Sequence, residues 1–538
     1  MEHHSKQYTR IKKALATAEK IETNKLKKHD DAVIEHDAPR KVRPSVSAIL
    51  ACAGAGFDLT DLGNADRLLA KYGTRMAFVE GVGWVVFDGR CWDRYSGGKR
   101  AKGMAGEIAR AIKEECKCLK KKKVPYRLQW ANRSGRAPAI KGMLEMAEPA
   151  VLTPLDTFDK QPHQWNAQNG TLDLTTGQIA PFSPANMLTG IGPLNYDPKA
   201  HCPTWHAFIT DITCGDDALA ELLQRAVGYS MFAHQEEQVA FFLTGDETND
   251  KMNGSNGKSL FLAIIAAVFG QYQTGVDKGL ITQDARKSGI NSDVAALSGK
   301  RLGIGGEFER NDVLAEREFK RLTGEDVIKA RFLRQEYFDF YSMATLWYAT
   351  NYMPLIQSQD AGVYRRTIII PFLAKFHDAW ECPKGGKVKD IKLKSRLLDE
   401  LEGIFRWCVE GAVAYAQGGL NVPVHLYAVR NAKKNAFDPL SDFASICLDI
   451  DPDKVEQAGN LFRAYERFAE VNEGQKLTTT AFGRRLNGMG IVKDPELSKR
   501  LVYRRGACLN KVGKAYFNGT RGLIELENQD RTDLLRVV

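Results

Sequence analysis

The chain has 538 residues, of which 43% are hydrophobic and 26% charged, with a formal net charge of +10. That length exceeds one ordinary domain of roughly 150 residues, and the composition is that of a folded protein rather than a disordered one. No apolar run approaches the roughly 18 residues of a membrane span, and the opening MEHHSKQYTRIKK contains no signal-peptide core, so a cytoplasmic protein with no membrane attachment is expected. Ten cysteines are scattered along it, and the closest pair, Cys116 and Cys118, misses the C-x-x-C spacing. They read as reduced thiols, and His201, Cys202, His206 and Cys214 match no common zinc spacing.

Residues 1–45 carry eleven Lys/Arg against seven Asp/Glu and read as a basic extension with a helical stretch at 11–26. Residues 46–200 read as a small α+β domain, with helices at 65–72 and 104–119 and a strand at 84–87. Gly54 and Gly56 hint at a dinucleotide loop, but Leu59 stands where its third glycine belongs, so that reading is rejected. Lys120 to Lys123 form a run of four, which by itself is most simply a solvated face.

From 201 to 430, apolar strands at 239–244, 301–305, 344–350 and 367–371 alternate with helical segments, as in an α/β domain whose parallel sheet is covered on both faces. Residues 391–417 read as one helix. The module at 431–538 has helical patterns at 440–448, 458–471 and 478–486, then a strand-like segment at 500–504 with a partner at 514–517. Between 481 and 521 it carries ten Lys/Arg against two acids, and the order suggests a winged-helix-like fold able to contact duplex phosphates. Arg484, Arg485, Arg504 and Arg505 are its candidate DNA contacts. Tyr503 and Tyr516 could stack on bases or pack inside.

The strongest local signal is Asn253-Gly254-Ser255-Asn256-Gly257-Lys258-Ser259, which follows a strand and opens an apolar helix at 260–269. Glycines let backbone N–H groups converge on phosphate oxygens, the helix N-terminus adds a positive dipole, Lys258 reaches the β/γ-phosphates and Ser259 ligates magnesium. The loop departs from G-x-x-x-x-G-K-[ST] at Met252, and residues 246–251 look inserted before it. ATP and Mg2+ are the expected cofactors.

Downstream, Glu307 and Glu309 lie at the end of a strand. A magnesium-bound triphosphate needs one acid there for the metal's water shell and another to orient the attacking water. Which glutamate does which is open, with Glu307 placed on the metal beside Ser259. Asn351 ends the next strand, where a hydrogen bond to the γ-phosphate or the attacking water would be useful. Arg365 and Arg366 precede the following strand, and in a ring ATPase an arginine from the neighbouring subunit stabilises transition-state charge.

In this order the motifs closely resemble those of superfamily 3 helicases of the phage and plasmid primase type, related to the poxvirus primase-helicase. The resemblance also runs through residues 60–68, Trp92, residues 169–174, 196–198, 202–205, 297–309 and 320–331. It implies an AAA+-like P-loop ATPase core forming a homo-hexameric ring, Glu307 and Glu309 as Walker B acids, Asn351 as sensor, and Arg365 or Arg366 acting in trans. In such helicases the segment matching 323–340 forms loops, including a hairpin, that grip single-stranded DNA, making Lys329, Arg331 and Arg334 candidates. The competing reading is an ion pair of Lys329 or Arg331 with Glu325 or Asp326.

The expected function is an ATP hydrolase and replicative DNA helicase of a phage, prophage or plasmid, moving 3′ to 5′ on single-stranded and forked DNA. With only about 45 unassigned residues ahead of the family-like part, no primase domain is expected, and a separate primase is a possible partner. One rival is a DNA-binding initiator or scaffold with weak turnover. Another is a small-molecule P-loop kinase, which leaves the asparagine, the arginine pair and the basic tail unexplained.

Overall fold

The computed structural model describes residues 56–245, 254–283, 292–310, 312–331, 337–356, 361–427, 440–471, 477–498 and 500–519. The expected helix at 11–26 and the glycine loop near 54 lie outside them. Among the described residues no helix is long and apolar enough to cross a membrane.

The N-terminal part opens with helix α1 (Asp61–Tyr72), capped by the Thr60 hydroxyl, which accepts from the Gly63 N–H at 3.0 Å. An antiparallel sheet follows, formed by β1 (Met76–Val79), β2 (Gly83–Phe87) and β3 (Trp92–Asp93). Helix α2 (Gly97–Ala111) starts earlier than the apolar pattern predicts, because Gly97 lies against β2: a Cβ there would sit 1.9 Å from the Trp84 carbonyl oxygen. The chain then tightens into the 3-10 segment Ile112–Cys118 and the 3-10 turn Lys121–Lys123 before α3 (Val124–Ser134) and α4 (Ala137–Ala147). Buried Glu115 joins these pieces. Its carboxylate accepts from Arg67 at 2.7 and 3.1 Å and from Arg127 at 2.7 Å, so the charge taken out of water is paired on both oxygens.

A second antiparallel sheet, β4 (Gln164–Ala167), β5 (Gly170–Asp173) and β6 (Gln178–Ala180), precedes the expected boundary at residue 200. Its apolar side chains nevertheless belong to the core of the following α/β unit. Trp165 is fully buried, with ring centroids 5.2 Å from Phe269, 4.0 Å from Tyr272 and 6.2 Å from Phe405. Trp165→Ala is therefore expected to destabilise the α/β unit by about 3–5 kcal/mol, measurable as a lowered denaturation midpoint of the whole unit.

That unit contains α5 (Pro203–Ile212), α6 (Asp217–Met231), β7 (Ala240–Thr244), α7 (Lys258–Phe269) and β8 (Gln273–Val276). It continues through α8 (Ser292–Ala296), β9 (Leu302–Gly305), α9 (Glu316–Leu322), β10 (Val327–Ala330), β11 (Phe338–Tyr341) and β12 (Thr345–Thr350). Then come α10 (Ala361–Arg365), β13 (Thr367–Pro371), the two-residue strands β14 (Phe376–His377) and β15 (Lys387–Val388), α11 (Leu393–Asp399) and α12 (Leu401–Gly418).

Five strands form a parallel sheet in the order β13-β7-β12-β9-β8. Alternate residues of β7, β12 and β13 enter two different cores: Phe241, Trp347 and Ile370 one, Phe242, Tyr348 and Ile369 the other. Burial on both faces explains why these strands read as unbroken apolar runs. Helices α6 and α12 cross at glycine, since a Cβ on Gly228 would lie 2.1 Å from the Ala412 nitrogen. The expected helix at 391–417 is two helices. It breaks at Glu400, whose carboxylate accepts from the N–H groups of Thr204 and Trp205, both at 3.1 Å, and so caps α5.

The C-terminal module runs α13 (Ser441–Cys447), β16 (Leu448–Gln457), α14 (Ala458–Val471), α15 (Thr479–Gly488), β17 (Val492–Lys493), β18 (Tyr503–Leu509) and α16 (Lys511–Asn518). Its sheet order is β16-β18-β17. Residues 514–517, expected as the strand partner of the basic segment, lie in α16. That helix is capped by Asn510, whose side chain accepts from Val512 and Gly513 N–H. The actual partners of β18 are β16 and β17. One further expectation fails: Cys118 is disulfide-bonded, so the cysteines are not all thiols, although eight others are free.

Candidate functional site

The phosphate-loop candidates lie beyond the end of strand β7, between β13 and β12 in the sheet. Asn253 falls outside the described residues, while Gly254 to Ser259 are described. Gly254 (φ +83°), Ser255 (φ +51°) and Gly257 (φ +86°) adopt left-handed backbone, which turns N–H groups inward. Gly257 is also sterically required. A Cβ there would meet Ile212 Cγ2 of α5 at 2.8 Å. The loop is tied to the chain after β13 by three contacts: Asn256 Nδ2 to Ala374 O at 2.7 Å, Lys375 Nζ to Gly254 O at 3.0 Å, and the Phe376 N–H to Ser255 O at 3.0 Å.

Lys258 is the first residue of α7 and is 5% exposed. Its ammonium donates to Asn351 Oδ1 at 2.9 Å, a residue 93 positions away, and contacts Asn256 Oδ1 at 3.4 Å. The sheet brings them together. Asn351 directly follows β12, and β12 is hydrogen-bonded to β7. Ser259 is exposed on the same first helical turn.

The two glutamates follow β9, one strand further out. Gly303 and Gly305 in this strand leave room for β12, since a Cβ on Gly305 would lie 1.9 Å from the Tyr348 ring. The Phe308 N–H donates to Thr350 Oγ1 at 3.2 Å, fixing the acidic segment beside the end of β12. Glu309 is engaged. Lys278 donates to Glu309 at 2.8 Å and to Asp312 at 3.0 Å, and these bonds raise the lysine's pKa. Among the described residues Glu307 is exposed and has no ion pair.

Arg365 and Arg366 lie elsewhere. They end α10 and precede β13, at the sheet edge where the Ala240 N–H of β7 donates to Arg366 O. The loop lies beyond the opposite end of that strand, about 15 Å away at 3.3 Å per residue. Gln238, a non-glycine residue at φ +54°, accepts from both guanidinium groups, at 3.2 Å from Arg365 and 2.6 Å from Arg366. Arg366 also donates to Gly362 O at 3.2 Å and is half-buried, whereas Arg365 is exposed.

Lys329 lies on β10, which pairs with β11 in a hairpin, and Arg331 immediately follows it; Arg334 falls outside the described residues. Ile328 and Ala330 are buried, and Phe338 and Phe340 pack against the same core, while Val327, Lys329, Asp339 and Tyr341 are exposed. Arg331 lies 4.7 Å and Lys329 5.9 Å from the centroid of exposed Tyr337. Lys329 faces Asp339 across the pair, so the acid opposite it is neither Glu325 nor Asp326.

In the C-terminal module Arg484 is exposed on α15 and Arg485 is half-buried. Arg504 and Arg505 on β18 are placed differently, the first buried and the second exposed. Arg504 turns inward, donating to Asn487 Oδ1 and Ile491 O, both at 2.8 Å, and Arg505 pairs with buried Asp494 at 2.7 Å. Tyr516 packs on Phe468. Sequence reasoning missed Lys278, Gln238, Lys375 and Tyr337, which carry no motif of their own. Only the folded sheet brings them to the others.

Residues 65–214 match the family described as D5 N terminal like. The chain is 26% identical over 267 residues to a protein of Acanthamoeba polyphaga mimivirus named as a helicase, covering 47% of this chain and 27% of that protein. It is 25% identical over 226 residues to a protein of African swine fever virus named as a primase, covering 39% and 22%. The chain thus spans about a quarter of the length of these relatives. Among solved structures, the NrS-1 C-terminal region aligns at TM-score 0.42 and 10% identity, over 84% of this chain and 100% of that one. Residues 65–214 thus resemble the D5 N terminal like family, and the chain is similar to proteins of large DNA viruses named as helicase and primase.

Proposed function

We propose that the chain is a ring-forming, ATP-dependent DNA helicase with an AAA+-like P-loop core. The observation that carries this reading is the Lys258 to Asn351 contact at the ends of adjacent parallel strands, beside a loop with left-handed backbone at Gly254, Ser255 and Gly257. In an open α/β sheet this crevice beyond the strand ends is where ligands bind.

The residues present fit a nucleoside triphosphate with magnesium. Loop N–H groups and Lys258 would hold the phosphates, and Ser259 with Glu307 would hold the metal, which when bound neutralises charge on the transferred phosphoryl group. Lys258 would exchange Asn351 Oδ1 for phosphate oxygen, freeing the asparagine amide to orient water. Glu309, held by Lys278, is the more constrained acid, so Glu307 takes the metal side. Arg365 is assigned as the finger acting on the neighbouring subunit, with Arg366 and Gln238 anchoring it. The hairpin of β10 and β11 would grip single-stranded DNA through Lys329 and Arg331, with Tyr337 as a stacking surface. The C-terminal order α13-β16-α14-α15-β17-β18 supports a winged-helix-like module, with Arg484 on the helix expected to face DNA.

The test is ATP turnover with and without single-stranded DNA, together with unwinding of a forked substrate. The helicase reading expects DNA-stimulated hydrolysis and strand separation. Negligible turnover under both conditions, with DNA still bound, would instead establish the initiator or scaffold.

A further inference from the structure

Between residues 97 and 136 the sequence has thirteen Lys/Arg and three Asp/Glu, a balance of +10 equal to the formal charge of the whole chain. Sequence alone allowed the lysine run at 120–123 to be a solvated face. The structure gathers it into a larger surface. Helix α2, the 3-10 segment Ile112–Cys118, the turn Lys121–Lys123 and helix α3 pack against one another. All of these cations except Arg127 are exposed, and buried Glu115 is consumed by Arg67 and Arg127. Two of the segment's own acids remain at the surface, Glu107 and Glu114, and Arg100 pairs with Asp93 of β3 at 2.8 Å and lies 3.8 Å from Asp88. Glu114 is paired with Lys117, and Glu107 lies 3.6 Å from Lys71.

An ordinary soluble face intersperses both signs, because like charges repel and gain nothing from proximity. A face this one-sided calls for an external polyanion. We propose that this surface of the N-terminal domain binds the phosphate backbone of duplex DNA, without reading its sequence. Duplex DNA presents one charge per about 1.7 Å of axis, twice the density of a single strand, which suits a surface dense in cations. Single-strand sites add rows of aromatic platforms. Here Tyr126 is the exposed aromatic, while Trp130 is buried with Arg133 over its ring. None of its residues belongs to the loop, the hairpin or the C-terminal module, and binding there needs no nucleotide.

The experiment uses the full chain without nucleotide and follows fluorescence anisotropy of a labelled duplex and a single strand of equal length over a range of salt. The variant replaces Lys120, Lys121, Lys122 and Lys123 with Gln, and a second replaces Lys99, Lys102 and Arg110 with Gln. For the first, duplex affinity is expected to fall roughly tenfold or more, and the slope of log affinity against log salt to flatten by about 2 to 4, at about 0.9 per lost phosphate contact. Single-strand affinity should change by less than about threefold, with an unchanged melting curve. If the first variant melts early, the second decides by the same readings. Unchanged duplex affinity and slope would overturn the proposal, as would a loss confined to the single strand or to phosphatidylserine vesicles. Because nucleotide is omitted, failure here leaves the motor reading intact, and failure of ATP turnover leaves this surface intact.

Discussion

Lys258→Ala is expected to lower DNA-stimulated ATP hydrolysis by about 10²–10³-fold, the usual loss when one preorganised donor to developing charge is removed. The ammonium is almost fully buried and its contacts include two amide oxygens, Asn351 at 2.9 Å and Asn256 at 3.4 Å. Holding a charge there costs desolvation energy. The variant is expected to fold. Nucleotide response separates a structural role from a phosphate-binding one. At a ligand concentration of 100 times Kd the parent gains about 2.7 kcal/mol of stability, and the variant should gain much less. Thermal melts with and without ATP and magnesium read this directly. A variant that melts early but still hydrolyses ATP would mean that Lys258 is structural and that the phosphate site lies elsewhere.

Asn351→Ala tests the partner. It leaves Lys258 in place while removing the oxygen that accepts its hydrogen bond. Turnover should fall, while nucleotide-dependent stabilisation should persist, because the loop N–H groups and Lys258 still meet the phosphates. Equal loss of both would mean that the asparagine works by holding the lysine rather than by orienting water.

How much of this could be read in advance depended on whether a residue's environment is local. Strands β7, β12 and β13 were legible because burial on both faces demands continuous apolar residues. Edge strand β8 was missed. Its residues Gln273 to Val276 are mostly only half-buried, so no apolar run marks them. The turn at 254–259 was legible because left-handed backbone ahead of a helix favours glycine, which stands at 254 and 257. The break at Glu400 was not, because the carboxylate serves α5, nearly 200 residues earlier in sequence. Charge type alone does not show how a cation is held. Arg504 is buried against Asn487, and exposed Arg505 pairs with Asp494. The lysines at 120–123 read as an isolated run, while the fold gives them the whole surface of α2 and α3 as a setting.

Arg365→Ala is expected to lower ATP turnover of the assembled ring by about 10³-fold or more, the range for a charge-stabilising arginine supplied by a neighbour. The geometry within one chain makes the direction of this effect informative. Arg365 lies at the start of the sheet and Lys258 beyond its end, so one subunit cannot join them without unfolding β13. Arg365→Ala and Lys258→Ala should each be inactive alone yet complement when mixed. A mixed ring contains interfaces in which one subunit retains the lysine and its neighbour the arginine. With random mixing at equal amounts, about one interface in four is complete, so turnover should recover to about a quarter of the parental rate if interfaces act independently. Arg366→Ala should cost less, because its bonds to Gln238 and Gly362 make it the anchor of the pair. Full activity of Arg365→Ala on its own would remove the finger assignment. Absence of recovery on mixing, with both variants assembled into rings, would mean that the phosphate site is completed within one subunit, and the shared-site arrangement would have to be given up.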